Sequence, residues 1–153
     1  MQFKYVNRQD LERKAFRFPA KQDRILNLVP AVRMPSSSVV YYTITDMNVP
    51  GTTYFNPFSM SPKKHIGRHD IVVVQNLINL VPNFYTLFLF MMDAASLIME
   101  DGFVLVDYPK HKRFMRCGVD KMREFLDEVF PSVNDMTVSG HKEPIWQCRL
   151  LNS

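Results

Sequence analysis

The sequence predicts a three-layer α/β domain built on a mostly parallel sheet, with an antiparallel hairpin at one edge. Continuous apolar runs at 71–74 and 103–106 are typical of strands that are buried on both faces of a parallel sheet. A segment with helical character follows each of these runs. The last two apolar runs lie too close together for a parallel crossover, which favours an antiparallel pair.

Composition supports a single domain spanning residues 1–153. The chain has 46% hydrophobic and 22% charged residues, which is enough to bury one core. The net charge of +4 permits an anionic partner without requiring one. Two cysteines, Cys117 and Cys148, are too few for a disulfide framework, and the first residues carry charges where a signal peptide needs an apolar stretch. We therefore expect a reducing cytoplasmic location, with the nucleus left open.

The N-terminal part predicts helices, a strand and a loop. Residues 1–37 form a predicted helical segment, in which 9–29 holds one or two short helices broken at Pro19. The β-branched and aromatic run 38–46 predicts a strand that ends at Asp46. Residues 47–69 hold three prolines, two glycines and no sustained period, which predicts a long irregular loop.

The middle of the chain contains an uncharged stretch, 71–92, that is long enough to cross a bilayer. It is interrupted by Pro82 and by four amides, each costly in lipid when unpaired: Gln75, Asn76, Asn79 and Asn83. We therefore expect no membrane contact. The stretch instead predicts a buried strand at 70–75 and a crossover helix at 83–99 capped by Asn83.

The C-terminal part continues the alternation. Residues 102–108 predict another buried strand, and 112–129 predict a helix that stops before Pro131 and has one apolar face. Residues 134–140 and 144–152 predict two strands joined by a short turn around Gly140. The order of strands and helices favours a three-layer arrangement.

Residues 70–150 resemble the C-terminal half of a class I S-adenosylmethionine-dependent methyltransferase. The resemblance rests on "DIVVVQN" followed by a helix, on the turn and strand "EDGFVLVDY", and on the closing strand "PIWQCRL". The segment "VDYPKHKRFMRCGVDKMREFLDEVF" is also similar to the macrocin-type O-methyltransferases, in which an acidic pair after the strand helps to hold a metal. The resemblance implies a Rossmann-like, methyltransferase-type sheet.

Several parts that the family uses for catalysis are absent from the sequence. The family binds its cofactor through a glycine-rich turn, because glycine lets the backbone approach the ligand, whereas the five glycines here are isolated. The macrocin-type acidic pair is reduced to Asp107 followed by Tyr108, and aspartate replaces the lysine of the ribose methyltransferase tetrad. We therefore predict a degenerate domain with no catalytic residues and no cofactor. The alternative is an active methyltransferase with an atypical cofactor loop, in which Asp46 and Asp107 contact S-adenosylmethionine.

No metal site is predicted. His65 and His69 are four residues apart, a spacing that places two imidazoles on one helical face. A zinc site needs further ligands, and the sequence offers no third one nearby. The two histidines therefore carry no metal-binding prediction.

A basic cluster is the first candidate for partner binding. Lys110, Lys112, Arg113 and Arg116 lie at the start of the predicted 112–129 helix. Free N–H groups at a helix N-terminus and nearby cations suit phosphate or RNA. The alternative interpretation is a solvated, salt-bridged surface.

Aromatic residues in the 47–69 loop are the second candidate. Tyr54, Phe55 and Phe58 are of the kind that anchors protein partners. The predicted function is therefore a regulatory module that binds a protein or RNA. A nucleic-acid-binding accessory protein is a further alternative, and the oligomeric state is left open.

Overall fold

A computed structural model describes residues 38–43, 51–57, 66–75, 77–78, 81–108, 116–137 and 144–151. Within them the strands are β1 (Val39–Tyr42), β2 (Thr53–Phe55), β3 (His69–Val74), β4 (Ile98–Asp107), β5 (Ser132–Asp135) and β6 (Ile145–Arg149). The helices are α1 (Phe84–Ser96) and α2 (Val119–Val129). The predicted N-terminal helical segment, 1–37, lies outside the described residues.

The strands form one six-stranded sheet in the order β2-β1-β3-β4-β6-β5. The first four strands in this order are parallel, and β6 is antiparallel to both β4 and β5. The predicted fold class is therefore confirmed: a mostly parallel sheet with an antiparallel pair at one edge, flanked by helices. The antiparallel pair forms because few residues join β5 to β6, too few for a parallel crossover.

Apolar side chains on the two faces of the sheet form separate core clusters. Both helices pack on one face, where Leu87, Phe90 and Leu126 join the alternate residues of the strands. The other face holds a second cluster that includes Val73 and Leu105. All four residues of 103–106 are buried, which confirms the prediction of a strand covered on both faces.

A hydrogen bond and ring contacts tie β1 to α1. The Tyr42 hydroxyl donates to Asp93 Oδ2 at 2.7 Å, and its ring packs edge-on against Phe90 with a centroid distance of 6.3 Å. Burial raises the pKa of Tyr42 and also that of Asp93. The phenol therefore stays protonated and acts as the donor that holds helix and strand together.

The start of α1 was predicted correctly. Asn83 is extended, with φ −156°, and its side-chain oxygen accepts a hydrogen bond from Thr86 N at 2.8 Å. This bond satisfies one of the N–H groups that lack a partner within the first helical turn. The helix ends at Ser96, earlier than predicted, and the chain enters β4 at Ile98.

Asn83→Ala is expected to lower the free energy of unfolding by about 1 kcal/mol, because alanine cannot cap the helix. Asn83→Asp keeps a side-chain acceptor and is expected to match the wild type within about 0.5 kcal/mol. The midpoint of urea denaturation measures both changes. Equal losses in the two variants would mean that the cap contributes nothing.

The start of α2 was predicted wrongly. Its N-cap is Gly118, with φ +92°, and residues 116–118 are not helical; the rest of the predicted first turn, 112–115, lies outside the described residues. A φ of this sign suits glycine, which has no Cβ to clash, and it separates the preceding chain from the helix. Asp120 occupies the first turn, where the helix dipole favours an acidic side chain.

The region predicted as an irregular loop, 47–69, contains β2 and the first residue of β3. The prediction missed β2 because three residues are too few to show a period. β2 pairs with β1 in parallel, with Tyr41 opposite Tyr54. The loop prediction was therefore wrong at these residues.

No helix in the described ranges is long and apolar enough to cross a membrane. Within the uncharged stretch 71–92, residues 71–74 belong to β3 and residues 84–92 belong to α1. Many of its apolar side chains, including Val72, Leu87 and Phe90, are buried in the core between the sheet and the helices.

Candidate functional site

The strand order reverses direction at one place in the sheet. From β1 the chain passes to β2 on one side, and from β3 it passes to β4 on the other side. The carboxyl ends of β1 and β3 therefore lie at a topological switch point. In open α/β sheets, ligands bind in the crevice outside such strand ends.

A polar side chain stands at or just after the end of each parallel strand. Thr43 follows β1, Asn56 follows β2, Gln75 follows β3, and Asp107 ends β4. All four are buried. Burial of a polar group is costly unless the group is hydrogen-bonded. The presence of four such groups at one edge of the sheet therefore marks this edge as the candidate site.

Thr43 ties three of these strand ends together. Its hydroxyl donates to the Gln75 carbonyl oxygen at 3.1 Å, and its N–H donates to the Phe55 carbonyl oxygen at 3.1 Å. These bonds hold the ends of β1, β2 and β3 in register on either side of the switch point. A crevice with fixed walls needs little reorganisation when a ligand binds.

The four side chains suit a ligand with hydroxyl, amine or cationic groups. A hydroxyl and two amides both donate and accept hydrogen bonds, and a carboxylate accepts them and attracts positive charge. None of the four carries positive charge. The set therefore suits a nucleoside or an ammonium better than a phosphate.

Tyr108 continues this edge beyond β4. Its N–H donates to the Pro144 carbonyl oxygen at 3.1 Å, its ring stacks on Trp146 with a centroid distance of 6.3 Å, and its hydroxyl lies 3.6 Å from Cys117 Sγ. Burial raises the pKa of Tyr108. The residue in the second position of the macrocin-type acidic pair is therefore a neutral phenol packed into the core.

The two predicted cofactor contacts have different outcomes. Asp107 lies at the carboxyl edge beside the switch-point residues, in register with Ile145. Asp46 lies outside the described residues. The residues Thr43, Asn56 and Gln75 were missed, although Thr43 and Gln75 each come directly after a buried apolar run.

The predicted partner-binding residues are only partly described. Arg116 is exposed, two positions before the N-cap of α2, and the other three members of the basic cluster, Lys110, Lys112 and Arg113, lie outside the described residues. Tyr54 is half-buried on β2. Phe55 is fully buried and stacks on Tyr42 with a centroid distance of 5.6 Å, so it is a core residue and not an exposed anchor. Phe58 lies outside the described residues.

The histidine pair is not brought to this edge. His69 begins β3 at the opposite end of the strand, and its Nδ1 lies 2.8 Å from Ser38 Oγ. His65 lies outside the described residues. Among the side chains that the structure describes, no group of three or more His, Cys, Asp or Glu residues could hold a metal ion.

Two solved structures with a similar fold are methyltransferases. One is a TehB-like S-adenosylmethionine-dependent methyltransferase from Corynebacterium glutamicum, with a TM-score of 0.60 and 10% identity over 94% of this chain and 99% of that one. Another is a magnesium protoporphyrin IX methyltransferase from Synechocystis with bound S-adenosylmethionine, with a TM-score of 0.50 and 12% identity over 97% of this chain and 86% of that one. No family model matches the sequence, and no curated protein matches it.

These likenesses show that the chain has the methyltransferase-like, Rossmann-like fold that the sequence resemblance implied. They also contradict the prediction that no cofactor is used. The fold is shared with a protein described as S-adenosylmethionine-dependent and with one that holds this ligand. The lack of a glycine-rich turn was therefore too narrow a reason to predict that no cofactor is used.

Proposed function

We propose that this chain binds S-adenosylmethionine in the crevice over the carboxyl ends of β1 and β3. The observation that carries the proposal is the set of buried polar side chains gathered at this switch point. The fold shared with a protein that holds the ligand supports it. The proposed function is that of an S-adenosylmethionine-binding, methyltransferase-like domain.

The side chains at the crevice fit the chemistry of this ligand. The amide of Asn56, which follows β2, can donate to and accept from ribose hydroxyls. In dinucleotide sites, an acidic residue that follows the second strand accepts a hydrogen bond from a ribose hydroxyl. Thr43 and Gln75 supply further donors and acceptors beside it. The carboxylate of Asp107 complements the net positive charge of the ligand. When bound, S-adenosylmethionine supplies an electrophilic methyl group.

The walls of the crevice contribute through their rigidity. The Thr43 backbone N–H bonds to Phe55 of β2, and the Thr43 hydroxyl bonds to the Gln75 carbonyl oxygen, so a change of the Thr43 rotamer would break the second bond. Burial of Asn56 and Gln75 keeps water from competing for their hydrogen bonds. These residues bind and orient the ligand, and no step of bond making is assigned to them.

Catalysis and partner binding are separate questions within this proposal. An active methyltransferase and a catalytically degenerate regulatory module share the binding step and differ in whether methyl transfer follows. An exposed apolar surface on α1 supports the interpretation as a regulatory module, because such a surface can bind a protein partner. The test uses S-adenosylmethionine with an isotopic label on its methyl group. If the label stays on the ligand while a partner is bound, the regulatory module is favoured.

S-adenosylmethionine and its demethylated product are expected to stabilise the protein. At a concentration 100 times the dissociation constant, a ligand adds about 2.7 kcal/mol, which corresponds to a rise in melting temperature of roughly 5 to 10 °C for a chain of this size. Asn56→Ala is expected to weaken binding about tenfold, since one hydrogen-bonding group to the ligand is worth about 1.4 kcal/mol. Calorimetric titration measures the affinity of the wild type and that of Asn56→Ala for S-adenosylmethionine.

Asn134→Ala is the matched control, because Asn134 is exposed on β5 at the far edge of the sheet. It is expected to bind S-adenosylmethionine as the wild type does. Folded wild-type protein that binds neither ligand at millimolar concentration would overturn the proposal. Equal binding by the wild type and Asn56→Ala would place the ligand away from the crevice.

A further inference from the structure

The outer surface of α1 carries apolar side chains that face solvent. Tyr85 is 62% exposed, Phe88 is 42% exposed and Met92 is 48% exposed. Their spacing of three and four residues places them on one side of the helix, and we call them the α1 stripe. The opposite side of α1 is buried on the sheet, so this helix is apolar on both sides. Such exposed apolar surface is typical of an interaction site.

A groove continues the α1 stripe towards α2. It has a volume of about 430 Å³ and runs between the first turn of α1 and the outer side of α2. Phe84 and Phe125 form its apolar part, with ring centroids 5.0 Å apart. Tyr85 belongs to both the groove and the α1 stripe, so the two features form one continuous surface.

The α2 side of the groove is negative. It carries Lys121 together with Glu124 and Glu128, which leaves one net negative charge. Asp127 lies next to these residues in sequence and pairs with Arg123 at 3.2 Å. The last turn of α2 has no basic residue, so the partial negative charge of the helix C-terminus is not offset there.

This local charge is opposite in sign to the net charge of +4 of the whole chain. A groove of this sign favours a cationic partner over an RNA or an anionic lipid surface. A symmetric dimer through the α1 stripe would bring two acidic grooves into one interface. Charge complementarity therefore selects a basic protein segment as the occupant.

We propose that the α1 stripe and the adjoining groove bind a basic amphipathic helix from a partner protein. The apolar side of that helix packs on Tyr85, Phe88 and Met92, and its cationic side lies along Glu124 and Glu128. This is the helix-in-groove mode of recognition, in which apolar anchors supply affinity and charge selects the partner. The surface lies on the helical layer and shares no residue with the proposed cofactor crevice.

Two synthetic peptides test the proposal. Both are amphipathic helices with the same leucine face; one has a lysine polar face and the other a glutamate polar face. Fluorescence anisotropy is expected to show that the lysine peptide binds at least about tenfold more tightly. Phe88→Ser with Met92→Ser is expected to weaken that binding at least about tenfold, because two apolar anchors are removed.

Charge reversal separates specific recognition from general stickiness. Glu124→Lys with Glu128→Lys is expected to reverse the preference between the two peptides. The matched control is Glu100→Lys with Asp101→Lys, which makes the same change in net charge at exposed positions of β4. The control is expected to keep the preference for the lysine peptide, and melting curves check that every variant is folded.

Four outcomes would overturn the proposal. One is a wild-type protein that binds neither peptide, and another is one that binds both equally. A third is an equal loss of preference in the charge reversal and its control. The last is that the wild type associates with a single-stranded RNA oligonucleotide or with a second copy of the chain, and that Phe88→Ser with Met92→Ser abolishes this association. The α1 stripe would then be assigned to that partner instead.

Discussion

Leu105→Asp is expected to prevent the chain from folding. Leu105 is fully buried in β4, between Val73 of β3 and Gln147 of β6. The substitution removes about 2 kcal/mol of apolar burial and adds a carboxylate whose desolvation costs several kcal/mol more. Together these approach the whole stability of a domain, which is about 5 to 15 kcal/mol. Far-UV circular dichroism and the recovery of folded protein measure the effect.

Leu105→Met is the control for this substitution. It conserves volume and apolar character, so it is expected to cost less than about 1.5 kcal/mol. Asn134→Asp places a new carboxylate on an exposed position of β5 and is expected to change stability by less than about 0.5 kcal/mol. Cooperative, wild-type-like melting of Leu105→Asp would show that β4 is not covered on both faces.

Gly102→Val is expected to be the second most damaging change. A Cβ at Gly102 would lie 2.5 Å from the Asp70 carbonyl oxygen and 3.1 Å from that of Met99. Both are backbone atoms, so the strands themselves would have to shift. The register of β3 against β4 changes at this place, between His69 and Ile71. Gly102→Ala is expected to cost about 1 to 3 kcal/mol in urea denaturation, and the branched valine is expected to cost more.

Gly67 provides a contrast, because its constraint is conformational and not steric. It has φ +65°, and nothing lies within 4 Å of an added Cβ. Asparagine adopts this conformation more readily than other non-glycine residues, so Gly67→Asn is expected to cost less than about 1 kcal/mol. If Gly102→Ala were as mild as Gly67→Asn, the close approach of β4 to Asp70 would not be a constraint on the fold.

Leu105→Asp and Gly102→Val both change β4, the strand that carries Asp107 to the candidate site. β4 pairs with β3 on one side and with β6 on the other. A shift of its register would displace Asp107 relative to Gln75, which stands just after β3. The stability of the sheet and the geometry of the crevice are therefore linked through β4.

The fold was more predictable than the site. Strands such as 103–106 are buried on both faces, and this burial appears in the sequence as a continuous apolar run. Asn83 was recognisable as a cap because its short side chain precedes an apolar segment of helical length. Thr43, Asn56 and Gln75 belong to no motif, since each is a single polar residue at a strand end.

Two predictions from the sequence were wrong, because they concerned local features that leave no clear pattern in the sequence. Phe55 resembled an exposed anchor because its neighbours include prolines and glycines, yet it lies in β2 and stacks on Tyr42. Gly118 looked like an interior helix residue, yet its φ of +92° makes it the N-cap of α2. In both cases the conformation depends on contacts or dihedral angles that composition does not report.

The sequence by itself determined that 71–74 and 103–106 are buried strands, where α1 begins, and that the last two strands pair in opposite directions. These properties depend on local periodicity, capping and the length of a turn, and each of these is determined by residues close together in the sequence. Only the tertiary structure decided that β1 lies between β2 and β3, that their polar strand ends lie at one edge of the sheet, and that the α1 stripe faces solvent. The physical reason is that lateral strand order and helix exposure depend on hydrogen bonds and packing between residues far apart in the chain.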